Sequence, residues 1–292
     1  MIILDGKKTS KEIKEELKQK TSELVAAGKK VPHLAVILVG DNGASKTYVN
    51  SKIKACEYVG FKSTLVKYDD SVSERELLDK IREINADEDI DGLIVQLPLP
   101  KHIDEQKVIE TIDYKKDVDG FHPVNVGRLV LGLPAFVPAT PMGIMELLKR
   151  YEVPVRGKHA VVLGRSHIVG RPMSILLSQK GEFADATVTL CHSRTPDIEK
   201  FTKEADIVVV ALGKPEYLTG EMVKEGAVVI DVGITRVETD ENEKGYKIVG
   251  DVHFDSVSKK ASYITPVPGG VGPMTIASLL MNTYLSATGK IY

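Results

Sequence analysis

Short, largely apolar runs recur along the chain, each separated from the next by a segment of helical periodicity, and no other feature narrows the fold so far. The clearest cover residues 34–40, 92–97, 159–163, 206–212 and 227–232. A strand that is apolar at nearly every position is covered on both faces, which calls for a parallel sheet with helices on either side. Weaker strand patterns at 61–68, 186–191 and 262–265 complete the set. Thr9 with Glu12 and Ser73 with Glu76 have the spacing of capping boxes, predicting helices over 9–28 and 73–85. A further helix is expected over 45–59. Thr140-Pro141 reads as an N-cap with proline at the first helical position, opening a helix that runs to about 151. The last helix is expected over 273–287. Residues 115–140 are rich in Gly and Pro and weakly periodic, and the polar stretch 238–247 reads as a surface hairpin or loop. The order is two βα series joined by one helix. At about 150 residues per domain, a chain of 292 residues agrees with two domains.

Composition then removes whole classes of function. Lys and Arg number 39 against 41 Asp and Glu, a balance that argues against a general nucleic-acid binder. No apolar run approaches the roughly 18 residues that span a bilayer, and the first fourteen residues have no apolar signal core. The two cysteines, Cys56 and Cys191, make neither a disulfide framework nor a zinc spacing. A reducing, cytoplasmic setting is the expectation. The seven histidines lack ligand spacing, so no metal is expected.

The first strand of the second series runs into Gly164-Arg-Ser-His-Ile-Val-Gly170 and then a helical pattern. A strand, a glycine turn and a helix N-terminus together form a seat for a pyrophosphate. The middle glycine of the usual fingerprint is replaced by Ser166, and a purely structural turn is the competing reading. The next strand ends in His192-Ser-Arg-Thr195, without the acid that holds a ribose 2′-hydroxyl in NAD sites. Ser193, Arg194 and Arg165 suit a 2′-phosphate instead, because a guanidinium donates two hydrogen bonds to adjacent oxygens. NADP is therefore the expected cofactor, with NAD less favoured. Gly233 and Ile234 follow a later strand and are placed to line the nicotinamide end. Asp231 beside them reads equally as a structural loop acid.

In the first series, Tyr48 and Lys52 stand four apart on a predicted helix and share a face. A phenol beside an ammonium can relay protons, and an ordinary amphipathic helix with a surface lysine is the alternative. Gln96 is a polar amide within Val95-Gln-Leu-Pro98 and needs partners at a strand end. Lys116-Asp-Val-Asp-Gly120 offers two carboxylates, one of which can accept paired N–H bonds from an amidine-like ring edge. Turn formation by an Asp before Gly is the plainer use. Finally, Pro266-Val-Pro-Gly-Gly-Val-Gly-Pro-Met-Thr275 is stiff, yet able to approach a ligand closely.

Taken together with Ala44-Ser-x-x-Tyr48-x-x-x-Lys52, these motifs appear in the order seen in the bifunctional methylenetetrahydrofolate dehydrogenase/methenyltetrahydrofolate cyclohydrolase family, which the whole chain closely resembles. The resemblance implies an α/β fold of two domains with the active site in the cleft between them. Residues 1–140 and 273–292 would form a catalytic, folate-binding domain, and residues 141–272 a Rossmann-like NADP-binding domain. It implies oxidation of 5,10-methylenetetrahydrofolate to the methenyl form, then hydrolysis to 10-formyltetrahydrofolate. A monofunctional dehydrogenase is the alternative. By the same resemblance Lys52 is the central acid/base, Tyr48 positions the folate, Gln96 hydrogen-bonds Lys52, and Asp119 holds the amino-pyrimidine edge of the pterin. Val95, Leu97, Pro268, Gly269, Gly270, Val271 and Gly272 would line the folate pocket. Gly164, Arg165, Ser166, Ser193, Arg194, Gly233 and Ile234 would bind NADP. A homodimer is implied, with neither nucleic-acid nor membrane partners. The stretch 178–185 is a few residues longer than in many relatives, which bears on the preference for NADP.

Overall fold

The coordinates are a computed structural model and describe residues 1–240 and 245–292. The chain opens with β1 (Ile2–Ile3), α1 (Gly6–Ala26), β2 (His33–Val39), α2 (Gly43–Val59), β3 (Lys62–Tyr68), α3 (Glu74–Ala86) and β4 (Gly92–Val95). Next come α4 (Glu105–Thr111), α5 (Pro123–Val130), α6 (Ala139–Arg150), β5 (His159–Leu163), α7 (Gly170–Ser178), β6 (Thr187–Cys191) and α8 (Ile198–Thr202). The remainder is β7 (Ile207–Val210), β8 (Val228–Asp231), β9 (Thr235–Glu238), β10 (Tyr246–Val249), α9 (Phe254–Val257), β11 (Tyr263–Ile264) and α10 (Val271–Ala287). Two compact units result. One comprises Met1–Ser10 with Thr140–Thr275, the other Lys11–Ala139 with Ile276–Tyr292.

The unit holding Lys11–Ala139 is built on a three-stranded sheet in the order β3-β2-β4, with parallel pairing throughout. All seven residues of β2 are buried, which is why that run has no polar alternation. Leu77, Ile81 and Ile84 of α3 share one helical face and pack on Ala35, Ile37, Leu93 and Val95.

The other unit has a six-stranded sheet in the order β1-β11-β8-β7-β5-β6, also parallel at every pairing. Alternate residues of its central strands enter different cores. Ala160, Val162, Ile207, Val209 and Ile230 pack on one face with Ile144, Met173 and Leu177. Val161, Leu163, Val208, Val210 and Val229 pack on the opposite face with Leu218 and Val257. Two covered faces explain why these strands are apolar at every position.

Several elements differ from the reading of the sequence. The first helix starts at Gly6, not Thr9: Asp5 Oδ1 accepts from Lys8 N (2.9 Å), while Thr9 Oγ1 donates back to Asp5 O. The cap is thus the aspartate four residues earlier, and Thr9 with Glu12 forms no capping box. Ser73, by contrast, does cap α3 through Glu76 N (3.2 Å). The weakly periodic stretch hides α5, started by His122 Nδ1 accepting from Val124 N, with Pro123 in the first turn. Strand β4 stops at Val95, two residues short of expectation. Within 238–247, residues 241–244 lie outside the described residues; β9 and β10 on either side pair antiparallel.

The largest difference concerns the first ten residues. Ile2 and Ile3 pair with Tyr263 and Ile264 as the edge of the six-stranded sheet, and Leu4 is fully buried in that unit's core. They therefore group with residues 140–275 and not with the domain expected over 1–140. The return of the chain to the other unit falls at Ile276, where residue 273 was expected. Leu4→Ala should cost about 2–5 kcal/mol by opening a core cavity. Hydrogen exchange should then quicken in β8 and β11 while β2 and β4 keep their protection; equal loss in both sheets would contradict this assignment.

Candidate active site

Strand β2 is followed by Gly40, whose φ of +80° suits glycine and whose Cβ would fall 1.7 Å from Asp70 Oδ1. Asn42 then caps α2, its Oδ1 accepting from Ala44 N (3.0 Å) and Ser45 N (3.1 Å). The helix thus begins directly beyond the strand's carboxyl end and carries Tyr48 and Lys52. Lys52 is 8% exposed, and its Nζ donates to Gln96 Oε1 at 3.1 Å. Gln96 is pinned twice: its N–H donates to Ile37 O of the central strand (2.9 Å), and its Nε2 donates to Leu97 O (2.7 Å). With the amide nitrogen committed, the amide oxygen faces the lysine.

The ammonium has three donors and gives one to a neutral amide. Among the described residues no carboxylate lies within ion-pair distance of it. A buried lysine held by a neutral acceptor can exchange its proton without first breaking an ion pair. Tyr48 sits one turn earlier, 38% exposed, and burial of its phenol pushes the pKa above its ordinary value. No hydrogen bond joins Tyr48 to Lys52 among the described residues.

The two carboxylates of residues 116–120 are used differently. Asp117 is buried, and its Oδ2 accepts from His122 N (2.7 Å) and Asn125 Nδ2 (2.9 Å). Burial pushes its pKa up to about 7 against the pull of these hydrogen bonds. The Asp119 carboxyl receives no hydrogen bond among the described residues; burial pushes its pKa up and the charge of Lys52 pulls it down. Val95, Leu97, Asp117 and Asp119 line one small cavity with Leu93 and Phe121. Asp119 therefore keeps its acceptors free, while Asp117 holds the loop. Asn125, fully buried, also accepts from Phe136 N and donates to Tyr114 O. The reading of the sequence missed it, because one Asn in a Gly- and Pro-rich stretch carries no periodic signal.

In the six-stranded unit, β5 ends in Gly164, at φ +113°, where a Cβ would lie 2.2 Å from Ala211 O. A Cβ on Gly170 would lie 1.9 Å from Gly164 O, so only glycine lets α7 approach the turn. Ser166 Oγ accepts from Val169 N (3.1 Å), which ties the turn to the start of α7. Strand β6 is next to β5, and Gly164 N donates to Cys191 O (2.9 Å). Arg165 and Ser166 thus leave one strand end while Ser193 and Arg194 leave the neighbouring one, all four exposed. These residues fit a dinucleotide: a close glycine turn, exposed serines and two guanidiniums at adjacent carboxyl ends.

Strand β8 leads to Gly233 and Ile234. Asp231 is buried, with Oδ1 accepting from Gly233 N and Asp251 N and Oδ2 from Val252 N, all at 2.9 Å. Its carboxylate is committed to backbone, which decides for the structural reading; burial foremost, aided by the charge of Asp251, raises its pKa to about 6. Pro268, Gly269, Gly270, Val271 and Gly272 follow β11 in this same unit. A Cβ on Gly272 would lie 3.1 Å from Ile234 Cδ1, so this loop and the Ile234 loop are neighbours. Among the described residues no group of three or more His, Cys, Asp or Glu could hold a metal ion.

Two family models match the chain. The tetrahydrofolate dehydrogenase/cyclohydrolase catalytic domain covers residues 4–119, and the NAD(P)-binding domain of the same enzymes covers residues 138–291. The bifunctional protein FolD of Flavobacterium johnsoniae is 65% identical over 286 residues, 98% of this chain and 97% of that one. The FolD of Bacteroides fragilis is 61% identical over the full length of both. A solved FolD structure from Campylobacter jejuni superposes with a TM-score of 0.93 at 53% identity, covering 99% of each chain. That of the Trypanosoma brucei methylenetetrahydrofolate dehydrogenase-cyclohydrolase, complexed with NADP and an inhibitor, gives 0.94 at 40% identity, covering 100% of this chain and 98% of that one. The site and fold are those of a two-domain α/β enzyme of the dinucleotide-dependent type. The chain belongs to the tetrahydrofolate dehydrogenase/cyclohydrolase family.

Asp117 makes a stability measurement informative. Its folded pKa of about 7 lies above the roughly 3.9 of an unfolded Asp. Its contribution is therefore full below about pH 4 and lost as the pH rises through 7. Asp117→Asn keeps an oxygen for His122 and Asn125 and removes the charge. It should match the wild type at pH 4 and exceed it at pH 8, by on the order of 1–4 kcal/mol. Thermal unfolding at both pH values measures this; a difference that shrinks with rising pH would refute it.

Proposed function

We propose that this chain catalyses two consecutive steps on a folate-bound carbon. Methylenetetrahydrofolate is oxidised to the methenyl cation, and that cation is hydrolysed to 10-formyltetrahydrofolate. Its family membership supports both activities, and the buried Lys52–Gln96 contact is the observation that carries the second. NADP, when bound, accepts the hydride from the methylene bridge. The protein's task in that step is alignment, because the folate nitrogens themselves stabilise the cation.

Hydration moves protons. Water adding to the methenyl carbon must lose one; as the bond from that carbon to N5 then breaks, N5 must gain one and the new hydroxyl must lose its own to become the formyl carbonyl. Lys52, buried and held by a neutral amide, is suited to these transfers. Gln96 fixes the position of Nζ. Asp119, with its acceptors uncommitted, receives the paired N–H groups of the pterin's amino-pyrimidine edge. Tyr48, half-exposed beside Lys52, packs on the folate, and Val95 and Leu97 line its pocket. A monofunctional dehydrogenase has no need of a buried lysine paired with Gln96, and we do not favour that reading. Gly164, Gly170 and Ser166 shape the pyrophosphate seat, Gly233 and Ile234 line the nicotinamide, and Arg165, Ser193 and Arg194 hold the 2′-phosphate. The enzyme would work as a cytoplasmic homodimer.

Lys52→Met should lower the cyclohydrolase rate by about 100-fold or more, the scale of a lost acid/base group, while measurable dehydrogenase remains. The decay of methenyl absorbance follows the first and NADPH formation the second. Retention of both activities would remove Lys52 from its role.

Arg165→Ala should raise the KM for NADP by about tenfold or more, as expected for a lost charged hydrogen bond, and leave the KM for NAD nearly unchanged. An unaltered ratio of NADP to NAD activity would disprove the 2′-phosphate assignment.

A further inference from the structure

Among the described residues, one buried side-chain carboxylate oxygen has no partner: Oδ1 of Asp251. Asp251 is fully buried, and its other oxygen accepts from Leu212 N (2.6 Å) and Gly213 N (2.8 Å), the residues just past β7. Its own N–H donates to Asp231. Asp231 in turn accepts from Gly233 just past β8, and its N–H donates to Thr265 Oγ1 (2.7 Å) just past β11. Two carboxylates thus tie together the chain segments that leave β7 and β8 at their carboxyl ends, and the backbone of Asp231 adds the segment past β11. The packing admits no side chain between them. A Cβ on Gly250 would lie 1.8 Å from Asp231 Oδ2, and one on Gly233 would lie 2.4 Å from Asp251 N.

Burying two like charges at a sheet edge is costly. Loop closure alone does not need them, since neutral side chains can accept backbone N–H groups too. Carboxylates are the stronger acceptors, and here they accept five backbone N–H groups at 2.6–2.9 Å. What they hold still is the backbone of 212–213 and of Gly233, next to Ile234. We infer that Asp251 and Asp231 are positioning residues for the dinucleotide: without touching it, they set the 233–234 loop, on which its nicotinamide half is placed, against the neighbouring 212–213 segment. The inference rests on the proposed placement of Gly233 and Ile234 at the nicotinamide. It extends to residues that the reading of the sequence did not single out or took for a loop acid.

The unpartnered oxygen makes the inference specific. In Asp251→Asn the amide oxygen can keep Leu212 and Gly213, and the amide nitrogen takes the place of the oxygen that has no partner. In Asp251→Ala both hydrogen bonds go. With the full-length enzyme, titration calorimetry with NADP, dehydrogenase kinetics, and cyclohydrolase kinetics on methenyltetrahydrofolate without dinucleotide should separate the variants. Asp251→Ala should raise the Kd and KM for NADP about tenfold and leave cyclohydrolase within about twofold of wild type. Asp251→Asn should restore NADP binding to within about threefold. Gly250→Ala keeps both carboxylates but forces a methyl group against Asp231, and should weaken NADP binding as Asp251→Ala does.

Equal losses in the two activities would mean a purely structural role and overturn the inference. So would an unchanged NADP Kd in Asp251→Ala, or in Gly250→Ala should Asp251→Ala fail to fold. Ile234→Asp tests the underlying placement separately. If it leaves the NADP Kd unchanged, the placement of the nicotinamide is wrong. If it weakens binding while Asp251→Ala and Gly250→Ala do not, only the positioning role falls.

Discussion

Strands that run parallel deliver their carboxyl ends to one edge of the sheet, and every pairing within the two main sheets of this protein is parallel. Each connection must then cross back along the sheet, usually as a helix, and helices on both faces make the central strands almost wholly apolar. Polar groups are thereby displaced to the strand ends. Gln96 stands one residue beyond β4, Asn42 three beyond β2, Gly164 one beyond β5 and Gly233 two beyond β8. The chemistry sits where the core stops.

Four acids near these ends show how one functional group acquires different uses. Asp117, Asp231 and Asp251 turn their oxygens toward backbone N–H groups and fix loops. Asp119, two residues from Asp117, receives no such bond among the described residues and faces the cavity beside Val95 and Leu97. Raised carboxyl pKa values accompany both uses, as at Asp117 and Asp119. The hydrogen-bond partners, rather than the pKa, separate a scaffold acid from a candidate ligand-binding one.

The glycine turn and the Tyr48/Lys52 helix were legible because they are local. A strand end, a φ that only glycine adopts easily and a four-residue helical repeat lie within a dozen residues of one another. Capping was legible where one polar side chain competed, as at Ser73. It misled where Asp5 stood close ahead of Thr9, since the spacing of a capping box does not say which of two polar residues the helix will use. The helix α5 escaped because its eight residues are too short for a clear period, and its cap is a histidine, an uncommon choice.

By itself the sequence determined the class of fold and the two βα series, because apolar periodicity is a property of neighbours along the chain. The tertiary structure decided which end of the Gln96 amide meets Lys52 and which of two nearby aspartates is left with free acceptors. It also assigned the first ten residues to the six-stranded sheet, through the pairing of β1 with β11 some 260 residues away. It disclosed Asp251, whose partners are 38 and 39 residues distant. Each of these depends on contacts between segments remote in sequence, formed only when loops close and buried donors must find acceptors, and no local pattern encodes them.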